Sequence, residues 1–149
     1  GGTLEDRPIY TKTRCFDPFP FPEATPAQAA SIADLAEELD ATRRRAAATM
    51  PGRDLTDLYN AATAIRAGVA LTDKQKHHAA DGLPAIVADL HRKIDAAVAA
   101  AYGRPADLTP AQIVDHVVRL NAERAAEEAN GQIRWLRPDY QRPRATDRN

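Results

Sequence analysis

From Thr25 onward the apolar residues recur at spacings of three and four, the pattern of amphipathic helices. Ile32, Leu35 and Leu39 share one face of a first helix over about 26–48, Asp34, Glu37, Glu38 and Asp40 take the opposite face, and Pro51-Gly52 ends it. A second helix over 55–67 turns Leu55, Leu58, Tyr59, Ala62 and Ile65 inward, with Gly68 where a left-handed cap is wanted. A short polar third runs from Asp73 to about Ala80. The fourth carries Leu83, Ile86, Val87, Leu90, Ile94 and Val98 on one stripe up to Tyr102 and stops at Gly103. Ile113, Val117 and Leu120 mark a fifth, from Pro110 to about Ala129, closed by Asn130-Gly131. The start signals agree with this division. Thr25-Pro26-Ala27-Gln28 and Thr109-Pro110-Ala111-Gln112 are the same four letters, a threonine cap with proline at the first helical position and glutamine completing a capping box, and Thr72 with Gln75 is a weaker third. The predicted fold is all-α, a bundle of four main helices plus one short helix.

Ahead of the helices the pattern changes. Residues 8–16 alternate strand-fashion, with Ile9, Thr11, Thr13 and Cys15 on one face and Tyr10, Lys12, Arg14 and Phe16 on the other. All three phenylalanines, Phe16, Phe19 and Phe21, are then interleaved with Pro18, Pro20 and Pro22. Each proline fixes its own φ and pushes the preceding residue toward extended backbone, so this stretch cannot be helical and is expected to lie extended against something apolar. A lone strand needs partners, the only methionine is Met50, and the chain opens Gly1-Gly2-Thr3. Together these lead us to expect an excised C-terminal region of a longer parent rather than an intact small protein. The expected organisation is an extended segment over 1–24, a helical domain over 25–141 and a disordered tail over 142–149.

Composition narrows the function classes. The formal net charge is −1, which excludes a basic nucleic-acid binder of the kind visible in overall charge, so any DNA contact must be local. Cys15 is the only cysteine, which rules out an intrachain disulfide and a thiolate metal cluster and suits a reducing cytoplasm. No apolar run approaches the roughly 20 residues of a membrane span, so no membrane partner is expected. The core must be mostly aliphatic, with alanine letting helices approach closely.

The chemistry-bearing residues form no catalytic constellation. His77, His78, His91 and His116 lack any compact metal-ligand spacing and read as surface or boundary residues, so no metal site is expected. Glu127 and Glu128 are adjacent on a helix and point apart, so they are no acid/base pair. Arg43-Arg44-Arg45 sit in the last turns of a helix, where cations complement the dipole, so the run reads first as a solvated face; Arg43 and Arg44 are kept as candidate phosphate contacts. In a strand, Lys12 and Arg14 would share a face and, with Thr13, reach phosphates or base edges. On the fifth helix Arg124 continues the Ile113, Val117, Leu120 spacing and Asn121 the Val114, Val118 line, which reads either as a boundary network to the segment from Ile133 to Pro138 or as a surface for a neighbouring domain.

The segments YTKTRCFDPFPFP (10–22), DLYNA (57–61) with Ile65-Arg66-Ala67-Gly68, DGL (81–83), LHRKIDAAVAAAYG (90–103) and LNAERAAEEANGQIRWLRPDYQ (120–141) resemble the C-terminal end of MmeI-type DNA methyltransferases, the fused restriction-modification enzymes and their methyltransferase-only relatives. The resemblance runs from Pro8 to Gln141, and its motifs are specific in combination and weak singly. It implies that the Phe-Pro segment closes a target-recognition domain and that the helices after it form a domain packed against that module. The implied parent activity is methyl transfer from S-adenosylmethionine to adenine N6 in DNA, with or without a nuclease. The family's Asn-Pro-Pro-Tyr signature and glycine-bearing cofactor loop have no counterpart here: the chain has no Asn-Pro pair and no Gly-x-Gly. No catalytic or cofactor-binding residue is therefore carried over, and the chain alone is expected to be inactive, with S-adenosylmethionine bound by the parent. Its expected partners are the upstream methyltransferase and recognition domains of the same bacterial, cytoplasmic protein, with weak DNA contact. Phe16, Phe19, Phe21, Asn121, Arg124, Trp135 and Tyr140 are the candidate interdomain contacts. The competing expectation is a stand-alone helical module that dimerises or binds a protein through Phe19, Phe21 and Trp135.

Overall fold

A computed structural model describes residues 2–4 and 7–135. It is all-helical in its main elements, in chain order α1 (Pro26–Thr49), α2 (Leu55–Ala67), the short α3 (Asp73–His78), α4 (Leu83–Ala101) and α5 (Pro110–Ala129). All three expected capping boxes form. The amide of Gln28 donates to Thr25 Oγ1 at 3.2 Å while the Thr25 amide donates to Gln28 Oε1 at 3.0 Å, and Thr72 with Gln75 and Thr109 with Gln112 repeat the exchange. Gln28 also reaches across to the Ala100 carbonyl at 3.3 Å, so this cap ties the start of α1 to the end of α4. Thr25→Ala is expected to lower the stability of this helical unit by about 1 kcal/mol, measured by urea denaturation. Gly68 adopts φ 67°, the left-handed cap anticipated for α2, and its amide closes back on Ala64 and Ile65.

The chain divides into two compact units, Glu23–Asp107 and Gly1–Pro22 with Leu108–Asn149. In the first, α4 packs against both α1 and α2, and α3 against α2. The core is Ala46, Leu58, Ala62, Leu83, Val87 and Ala88, bordered by Leu39, Tyr59 and Ile65. Three of these six residues are alanines, which is what lets the helix axes approach. Leu55 and Ile86, expected inward, are instead 49% and 38% exposed.

One buried group fixes this unit and was not anticipated. Arg53, in the short link between α1 and α2, has a side chain only 1% exposed. Its guanidinium grips Asp81 two-handed, Nη1 to Oδ1 at 3.0 Å and Nη2 to Oδ2 at 2.7 Å. The same two nitrogens donate to the Ala46 carbonyl and the His78 carbonyl, both at 2.7 Å. Those carbonyls belong to the last turns of α1 and α3, where no helical donor remains. A single arginine thus caps two helix C-termini. Asp81 is held in turn by the Leu83 amide at 3.1 Å, at the start of α4, so the latch joins α1, α3 and α4.

In the second unit, α5 shares its body with the N-terminal segment. Here the strand expected over 8–16 is corrected. β1 (Gly2–Leu4) pairs antiparallel with β2 (Arg7–Ile9), in the register Gly2 with Ile9, Thr3 with Pro8 and Leu4 with Arg7, so the chain itself supplies the strand partner. Beyond Ile9 the backbone leaves the strand and forms a π-helical turn over Lys12–Phe16, with the Asp17 amide donating to the Lys12 carbonyl at 2.9 Å. The Phe-Pro stretch is not extended throughout either: the Phe19 amide closes on the Phe16 carbonyl at 3.1 Å and the Phe21 amide on the Phe19 carbonyl at 3.0 Å. These tight turns bring the three rings together, and mutual stacking replaces the flat docking expected. Residues 142–149 lie outside the described residues. None of the described helices is long and apolar enough to cross a membrane.

Candidate functional site

The most distinctive surface is in the second unit, and proline geometry builds it. Phe16 and Phe19 each stack on Phe21 with ring centroids 5.1 Å apart, at 59° and 67°, an edge-on aromatic trio. Pro20 is buried within this cluster's segment, while Phe16 and Phe19 each remain 41% exposed. Cys15, Pro18, Phe19 and Pro20 then form a cleft of about 190 Å³ with Val117, Val118 and Asn121 of α5. Val118 and its neighbour one turn earlier, Val114, are both 62% exposed, and Ile113 is 48% exposed. No residue of α5 is fully buried: Val117 and Leu120 of its stripe are half-buried, and Ile113, Val114 and Val118 leave apolar surface exposed. The Thr11 backbone hydrogen bond, assisted by the Arg14 charge, holds the Cys15 thiol below the usual thiol range. The only cysteine of the chain therefore reports on this cleft.

The structure brings some of the anticipated contact residues together and scatters others. Phe19 and Asn121 line the cleft, and Phe16 and Phe21 join Phe19 through the ring contacts. Trp135 is half-buried at the end of the described chain, and Tyr140 lies outside the described residues. Arg124 is half-buried on α5 and helps hold the Glu127 carboxyl below its usual range, after the dominant effect of the hydrogen bonds from Arg134. That Arg134 pairing is two-pronged, Nε to Oε2 at 2.6 Å and Nη2 to Oε1 at 2.8 Å, and folds the segment after α5 back onto the helix. The tie between α5 and the segment after it is made by Glu127 and Arg134, while Asn121 lines the cleft.

The candidate DNA contacts fare differently. In a helical turn, residues two apart do not share a face, so Lys12 and Arg14 lose the common face that a strand would have given them. Lys12 pairs with Asp17 at 2.8 Å, and Thr13 and Arg14 are exposed. In the other unit, Arg43 is half-buried with its guanidinium carbon 5.9 Å from the Tyr59 ring centroid, a cation–π contact rather than a free hook. Arg44 is exposed and pairs with Asp40 at 2.9 Å.

Among the histidines, His78 corrects the surface reading. It is buried, with Nε2 3.5 Å from Asp57 Oδ2, and Nδ1 meets no partner among the described residues. Asp57 also accepts from Lys74 at 2.7 Å, and that bond is the main reason its carboxyl is held below the usual range. His91 Nε2 lies 3.1 Å from the Tyr59 hydroxyl. No group of three or more His, Cys, Asp or Glu side chains among the described residues is arranged to hold a metal ion. No protein-family model matches the chain, and no curated protein and no solved structure matches it.

Proposed function

We propose that this chain is a non-catalytic C-terminal helical domain of a bacterial, cytoplasmic S-adenosylmethionine-dependent DNA adenine-N6 methyltransferase, and that it buttresses the target-recognition module of the same protein. The observation that carries this reading is the Phe-Pro segment with α5: three stacked phenylalanines, two of them 41% exposed, beside exposed Val114 and Val118. Apolar surface left in water costs about 25 cal/mol per Å², and a contiguous patch of this kind marks a contact site. The end-motifs that resemble the methyltransferase family, 10–22 and the described part of 120–141, both belong to the second unit. Methyl transfer and cofactor binding belong to the parent's upstream domains in this reading, and the exposed Arg14 supplies at most a local DNA-backbone contact.

Cys15 gives a direct test. The upstream region, taken from the reading frame that precedes Gly1 and added in trans, is expected to slow maleimide alkylation of Cys15 at least tenfold and to restore methylation when supplied with S-adenosylmethionine and DNA. Unchanged alkylation in its presence overturns the buttress. Methyl transfer by this chain alone overturns its inert role.

The exposed aliphatic face of α5 also favours a second reading, a helical module that dimerises through the same surface. Light scattering separates the two: a stable dimer, with Cys15 protected at high concentration and no salt-sensitive DNA affinity, is the result that selects dimerisation.

A further inference from the structure

We draw no further inference here: the strongest candidate, the apolar cleft that Cys15, Pro18, Phe19 and Pro20 form with Val117, Val118 and Asn121 of α5, belongs to the surface already described, and nothing in the structure shows what else covers it.

Discussion

Arg53→Met is expected to destabilise the unit over Glu23–Asp107 by about 3 kcal/mol, the low end of the loss for one partner of a buried ion pair, because Arg53 is buried while Asp81 stays partly open to water. Methionine fills much of the volume but donates nothing. The Ala46 and His78 carbonyls, each served at 2.7 Å, lose their partner at once, and Asp81 is left as a charge without its cation. Arg53→Lys is expected to recover only part of the loss, because an ammonium is a single point and cannot present the planar fork that Asp81 and two carbonyls share. Chemical denaturation followed by circular dichroism reads all three proteins. A loss below about 1 kcal/mol for Arg53→Met would mean that water enters and replaces the guanidinium, and the latch would then be incidental.

The same pair sets an acid limit. The hydrogen bonds from Arg53 are the first cause holding the Asp81 carboxyl below its usual range, ahead of an opposing effect of burial. A carboxyl whose folded value is depressed contributes stability above its unfolded value, about 3.9, and loses that contribution as pH falls through the lower folded value. Asp57, Asp89 and Glu127 shift in the same direction, each chiefly through a lysine or arginine hydrogen bond. Lys74 and Lys93 are raised, so their contribution is complete below about 10.4 and fades as pH rises above it. Stability is therefore expected to be level from about pH 5 to pH 9 and to fall below pH 4, with a shallower acid slope in Asp81→Asn.

How much of this was legible in the sequence depends on the range of the interaction. Thr25, Thr72 and Thr109 were readable as caps because a capping box is closed by residues three apart. Gly68 was readable because only the local backbone decides a left-handed cap. Arg53 was not, since its shortest hydrogen bonds go to acceptors 7, 25 and 28 residues away and an arginine after Pro51-Gly52 has every local reason to be a solvated loop residue. A faint signal existed: the Asp81-Gly82-Leu83 motif, singled out only for its resemblance, supplies the carboxylate of the latch and the first core leucine of α4. The Lys12–Phe16 turn failed for the opposite reason. Alternation over nine residues is a weak strand signal, and the prolines after it favour the turns that gather Phe16, Phe19 and Phe21. In α5 the periodicity correctly gave a helix and could not say which body it belongs to; that depends on the partner, not on the stripe.

Leu58→Ala carries the second large effect. Leu58 is 2% exposed, and its cluster is Ala46, Ala62, Leu83, Val87 and Ala88. The cost of such a truncation is the lost transfer free energy plus a cavity term that shrinks only if neighbours can move inward. Alanine has no rotamers with which to fill a hole, and valine has a stiff χ1, so this core relaxes poorly. The expected loss therefore sits in the upper part of the usual range, about 4 kcal/mol, with an unchanged denaturant slope. Leu58→Met, which keeps the volume, is expected to cost less than about 1.5 kcal/mol, and Ala88→Leu, at a site 1% exposed, about 1–3 kcal/mol from overpacking. The ordering of these three separates a tightly interlocked alanine core from a loose one: a loose core would accept Ala88→Leu without loss and tolerate Leu58→Ala at under about 2 kcal/mol.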